Sequence, residues 1–187
     1  LFPDAADYTA VYEQAGLLGR RTILAHCCHL SEREWEAIAR TDSVVAHCPT
    51  ANVFLEAGLF DLQTARERGV RVALGSDVAA GSDVAMPRVA RAMIETVKVR
   101  RMTGVAPAQA VPKPDEAWRM ITRDGALALG WEDMGTLDVG ACASVLVIDV
   151  PEAWRDEHLM GRLLHGWDGR LIEERVFEGV RVDPGTI

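Results

Sequence analysis

Long hydrophobic runs are missing from this 187-residue sequence. No apolar stretch approaches the roughly 18 residues that a membrane span requires, and Leu1-Phe2-Pro3-Asp4 has neither a basic n-region nor a signal-peptide core. Cationic charge is also scarce, with 20 Lys and Arg against 28 Asp and Glu and a formal net charge of −8. That balance argues against a nucleic-acid backbone or an anionic membrane as partner, since both reward clustered Lys and Arg. Arg100-Arg101 is too short a basic run to reverse it. The four cysteines, Cys27, Cys28, Cys48 and Cys142, contain no C-x-x-C pair and do not suggest a secreted disulfide framework. Solenoid repeats and low-complexity tracts are absent too. What remains, 49% hydrophobic and 26% charged residues, is the composition of one well-buried domain, expected to be soluble and cytoplasmic.

Three short apolar runs dominate the first half. Thr22-Ile23-Leu24-Ala25 leads into His26, Ser43-Val44-Val45-Ala46 into His47, and Val70-Arg71-Val72-Ala73-Leu74 into Gly75-Ser76-Asp77. In parallel α/β proteins, chemistry is done at the carboxyl ends of the strands. If these strands lie side by side, His26, His47 and Asp77 converge on one rim and offer two imidazoles and a carboxylate to a metal or a substrate. The string His26-Cys27-Cys28-His29 resembles a zinc site, but neighbours on a strand point to opposite faces, so all four side chains cannot grip one ion.

Helical signals separate the runs. A helix is expected from about Ala6 to Leu17, and Ser31-Glu32-Arg33-Glu34 matches a capping box that opens a helix carrying Trp35, Ile38 and Ala39. Cys48-Pro49-Thr50-Ala51-Asn52 reads as a loop, because Pro49 cannot continue a central strand. A short helix is expected from Asp61 to Arg68, ending at Gly69. Asp83 is assigned as N-cap of a long helix with Met86, Val89, Ala90, Met93, Ile94 and Val97 on its apolar stripe. Helices are expected again over Glu116 to Thr122 and Gly125 to Leu129. From Gly135 the texture changes, with a strand over Ala143 to Val150, a loosely helical stretch, then a strand, a turn at Gly179 and another strand within Glu173 to Val182. Three βα units are too few to close an eight-stranded barrel, and apolar parallel strands want neighbours on both edges. The sequence therefore reads as part of something larger.

Taken in order, Ala25-His26 with Leu30-Ser31, then Ala46-His47-Cys48-Pro49-Thr50-Ala51-Asn52, then Leu74-Gly75-Ser76-Asp77 resemble the amidohydrolase superfamily, guanine deaminases most of all. Gly135-Thr136-Leu137-Asp138-Val139-Gly140 to Asp149, and Glu174 to Val182, resemble that family's return into a small β domain, although Ser144 stands where the tail usually has Asp. The resemblance implies an α/β fold comprising a partial (β/α)8 TIM-type barrel, with strands six to eight and their helices in 1–134, and part of a small β domain in 135–187. It implies a zinc or iron ion with Asp77 as ligand and proton acceptor, His26 orienting water or the leaving group, and hydrolysis of guanine to xanthine and ammonia. The family also uses a His-x-His pair, a further His after strand five and a nearby Glu, and none of these patterns stands in 1–187. The implied chain is thus a carboxy-terminal portion, inactive alone, whose partners are a small purine and either a complementary amino-terminal half or a second copy in a homodimer.

Each residue has a plainer alternative. His26 could be a strand-end histidine satisfied by backbone hydrogen bonds, and Asp77 could cap its loop through an Asx turn. His47 and Asn52 either touch substrate or hold the loop's shape. The cysteines suit small buried groups, with no base placed beside them to make a nucleophile. Gly75 and Gly81 fit neither phosphate-loop nor dinucleotide spacing. Rival functions are another nucleobase, adenosine-type or triazine hydrolase of the same superfamily, or a non-catalytic module that pairs its strand edges with a partner. A cytidine-deaminase type of zinc enzyme is excluded, because His-x-Glu with Pro-Cys-x-x-Cys is absent.

Overall fold

The computed structural model describes residues 2–182. Residue 1 and residues 183–187, the outer ends of the two regions assigned from sequence, lie outside the described residues. Strands β1 (Ile23–Ala25), β2 (Val44–His47) and β3 (Arg71–Leu74) form one sheet in the order β1-β2-β3, and both pairings are parallel. Ala25 stands opposite Ala46, and His47 opposite Leu74, so all three strands end on the same side of the sheet. No closed barrel is formed among the described residues, and β1 and β3 each pair with β2 alone.

Helices cover the face presented by Leu24, Val45, Val72 and Leu74. Helix α1 spans Tyr8–Gln14, shorter than the expected Ala6 to Leu17, because Asp7 caps it by accepting from the Ala10 amide and Gly16 adopts a φ of 67° after it. Helix α2 (Glu32–Arg40) begins with the reciprocal capping box read from the sequence: the Ser31 hydroxyl accepts from the Glu34 amide, and the Glu34 carboxylate accepts from the Ser31 amide. Its inner face brings Trp35 and Ile38 to the sheet. The expected loop at Cys48 to Asn52 is instead the start of helix α3 (Pro49–Phe54). Pro49 does stop β2, but at the first helical position its missing N–H costs nothing and its fixed φ favours the turn.

Helix α4 (Leu62–Glu67) precedes β3, and helix α5 (Met86–Met102) follows it. The N-cap of α5 is Ala85, which makes no capping bond; Asp83 lies before it, accepting from the Ala85 amide and pairing with Arg88, so the N-cap assignment of Asp83 is corrected. The helix is held by packing: Val89, Ala90, Met93 and Val97 are buried in the main core, and Met86 packs partly buried beside them. Full burial of side chains such as Ile38, Leu62 and Met93 stabilises by about 1.5–3 kcal/mol each. Arg100, almost fully buried, donates to the Leu59 carbonyl and the Asp61 carboxylate and ties α5 to the segment before α4.

Helices α6 (Pro114–Ile121) and α7 (Arg123–Ala128) then pack against β3. A second, antiparallel sheet joins β4 (Val145–Ile148), β5 (Ile172–Phe177) and β6 (Val180–Arg181) in that order, with helix α8 (Leu159–His165) between β4 and β5 returning onto α5 and α6. Among the described residues no helix is long and apolar enough to cross a membrane.

Glu34 binds two elements together, since its buried carboxylate also accepts from the Thr9 amide and hydroxyl of α1. Burial pushes its pKa up, but the hydrogen bonds from Ser31 and Thr9 outweigh that and hold it below the ordinary glutamate value. A carboxylate held low in the folded state contributes stability that is present above the unfolded value and lost as pH falls through the folded one. Glu34→Gln is expected to cost about 1–3 kcal/mol at neutral pH and to make denaturant midpoints less sensitive to pH below about 4.5, whereas Ser31→Ala costs about 1 kcal/mol.

Candidate active site

Backbone pairing continues past the strand ends. The His26 amide donates to the Ala46 carbonyl at 3.0 Å and the Gly75 amide to the His47 carbonyl at 2.9 Å, which fixes the segments carrying His26 and Asp77 on either side of β2. Strand β1 stops at Ala25, because His26 and Cys27 take left-handed φ values of 65° and 54°. Such a pair of non-glycine residues is uncommon and swings the chain out of the strand. The His26-Cys27-Cys28-His29 string is therefore a turn: His29 Nε2 donates to the Ala57 carbonyl at 2.8 Å, whereas His26 meets Asn52 and Asp77.

Asp77 also sits in the left-handed region, with φ 46°. After it the chain folds back so tightly that the Gly81 amide donates to the Asp77 carbonyl at 2.5 Å, and a Cβ on Gly81 would lie 1.7 Å from the Ser76 carbonyl oxygen. Gly81 is thus the residue that lets this loop close, a role that the reading of Asp83 as an N-cap does not include. The signal was there in a glycine four residues after the acid.

The rim brings His26 and Asp77 together: His26 Nε2 and Asp77 Oδ2 are 3.8 Å apart, and the two side chains are 40% and 39% exposed. That is too long for a direct hydrogen bond and suits a small donor or ion between them. On its other side, His26 Nδ1 lies 2.8 Å from Asn52 Oδ1 in α3. His47 is brought to the same edge but turned inward, 2% exposed and stacked on Phe60 with ring centroids 4.8 Å apart. Burial, with His26 nearby, pulls its pKa down to about 3, so its imidazole is neutral. His47 Nδ1, Asn52 Nδ2 and Thr50 Oγ1 are buried polar atoms with no partner among the described residues, and no spacing in the sequence marks Thr50.

Cysteine chemistry is absent from the rim. All four thiols are free. Burial pushes Cys27 up to about 12, and burial together with Asp77 raises Cys48, so neither supplies a thiolate near neutral pH. Cys48 is buried, while Cys27, Cys28 and Cys142 are half-buried. A cavity of about 620 Å³ opens beside the free edge of β1, lined by Tyr8, Tyr12, Leu24, His26 and Glu34. A more apolar groove of about 600 Å³ between α5, α6 and the second sheet holds no titratable side chain. The first holds His26, whereas Asp77 is not among its lining residues.

As for a metal, no group of three or more His, Cys, Asp or Glu side chains among the described residues could hold an ion. Asp77 is a suitable single donor, but these residues do not by themselves complete a site.

The sequence model of the amidohydrolase family matches residues 3–177. The chain is 37% identical over 134 residues to guanine deaminase of Escherichia coli, covering 72% of this chain and 29% of that protein. Its fold superposes on guanine deaminase from C. acetobutylicum with bound guanine in the active site (TM-score 0.86, 28% identity, 95% of this chain and 43% of that one). It also superposes on an adenosine deaminase from Xanthomonas campestris with bound zinc (TM-score 0.80, 25% identity, 92% and 39%). The chain spans less than half the length of each.

Replacing His47 by Leu keeps an apolar side chain against Phe60 and removes its titration. A histidine held low loses its stabilising effect as pH falls from the unfolded value of about 6.5 towards the folded value of about 3. The expected result for His47→Leu is a shallower fall in melting temperature over that window than in the unaltered chain.

Proposed function

Because the chain belongs to the amidohydrolase family, we propose that it carries one side of the active site of a metal-dependent hydrolase that converts guanine to xanthine and ammonia. The observation that carries this reading is the meeting of His26 and Asp77, from the ends of the two strands that flank β2, at 3.8 Å. Similarity to guanine deaminases supports the substrate.

In this reading Asp77 provides one metal ligand and accepts a proton from the attacking water. His26 orients that water or the leaving amino group, and His47 and Asn52 stand behind them. A bound zinc or iron ion would lower the pKa of its water towards about 7. The remaining ligands come from a complementary amino-terminal half, the finished enzyme being a homodimer or the two halves together, and residues 1–187 alone do not turn over. Residues 1–134 then correspond to barrel strands six to eight, and 135–187 to part of a small β domain. Four free cysteines suit the cytoplasm. A second reading, deamination of an adenine-type ring, draws on the similarity to the X. campestris enzyme.

Native mass spectrometry, metal analysis and ammonia release from guanine test the proposal together. The expected outcome is a lone chain with no stoichiometric metal and no ammonia, and a larger assembly with about one metal per site that deaminates guanine. Stoichiometric metal and ammonia release from the lone chain would sink the shared-site reading, and release from an adenine-type ring instead would favour the second. In the assembly, Asp77→Asn is expected to abolish turnover. Asp83→Asn should retain it, since Asn still accepts from the Ala85 amide and gives up only an exposed pair with Arg88. Equal loss in both would contradict the choice of Asp77.

A further inference from the structure

His26 is held on both sides, and the two holds are chemically unequal. On one side Nδ1 meets Asn52 Oδ1 at 2.8 Å, an oxygen that can only accept. On the other side Nε2 faces Asp77 Oδ2 across 3.8 Å. Asn52 is 1% exposed and sits inside α3, whose first turn is set by Pro49, so its amide cannot follow a moving ring. Among the described residues its own Nδ2 has no partner, which leaves the Oδ1 contact as its one hydrogen bond to a side chain there.

We propose that Asn52 is a positioning residue that fixes His26 as the Nδ1–H tautomer, so that a bare Nε2 and the Asp77 carboxylate converge on one shared proton donor. The balance is simple. A ring proton committed to Asn52 leaves the Nε2 lone pair exposed, and a lone pair facing a carboxylate is repulsive until something with hydrogens to give lies between them. A water or an amino group of a ring substrate has two N–H or O–H bonds and can donate one to each. Free imidazole prefers the opposite tautomer, and which nitrogen carries the proton is set by the bond the other makes. The sheet thus delivers the histidine and the neighbouring helix selects what it can accept.

The inference rests on the functional reading only for the identity of the donor, and the test separates the two. Long-range ¹⁵N–¹H spectra of the 187-residue chain at about pH 8, where an ordinary imidazole is neutral, report which ring nitrogen bears hydrogen, with His26→Gln identifying the resonances. The expected result is the proton on Nδ1, lost to Nε2 in Asn52→Leu and kept on Nδ1 in Asn52→Asp, which retains an acceptor oxygen. A proton on Nε2 in the unaltered chain overturns the proposal even if Asn52→Leu fails to fold. In an assembly that deaminates guanine, Asn52→Leu should lower kcat by about 10- to 100-fold with KM little changed. An unchanged kcat would also overturn it. If the spectra show Nδ1–H but no assembly deaminates guanine, the functional reading fails and this one stands.

Discussion

Two backbone hydrogen bonds beyond the ends of the first sheet, from His26 to the Ala46 carbonyl and from Gly75 to the His47 carbonyl, set the geometry on which the rest depends. Parallel pairing alone would bring three strand ends to one side. These bonds carry the register onward, so that a histidine and an aspartate 51 positions apart in the chain (77 − 26) come within reach of one small molecule. Everything around them protects that register. Core residues of α2 and α5 cover one face of the strands, and Arg100 pins α5 to the chain entering α4.

Around the rim the interior is kept electrically quiet. His47 is neutral by burial, and the thiols of Cys27 and Cys48 hold their protons. The imidazole of His26 and the carboxylate of Asp77 stay partly open to solvent. A low-charge backing of this kind makes the interaction of those two groups with a donor or ion stronger than water would allow.

The sequence carried the order of strands and helices well, because binary patterning and side-chain caps are local: the Ser31–Glu34 box, the run into Asp77 and the α5 stripe are all read within a few residues. It misled where one residue serves two purposes. Pro49 ends a strand and begins a helix, and only the second effect puts Asn52 on a rigid support. Gly-Ser-Asp occurs twice, and the second copy looked like a cap, whereas its glycine closes the loop of the first and its aspartate serves Ala85 and Arg88. The Asn52–His26 bond spans 26 positions and has no periodic signature, so spacing could not disclose it. The inward turn of His47 onto Phe60 was hidden for the same reason.

β2 has a hydrogen-bonded neighbour on each side, whereas β1 has three residues and a single partner, with Ile23 and Ala25 exposed. Amide hydrogens are therefore expected to exchange slowest along β2 and earliest along β1, following the cost of local opening. His47 hangs from the slow strand and His26 from the fast one, so the rim joins the most and the least protected parts of the sheet. Opening of that one short strand is therefore expected to change the separation between His26 and the groups across from it at a lower free-energy cost than unfolding of the whole domain.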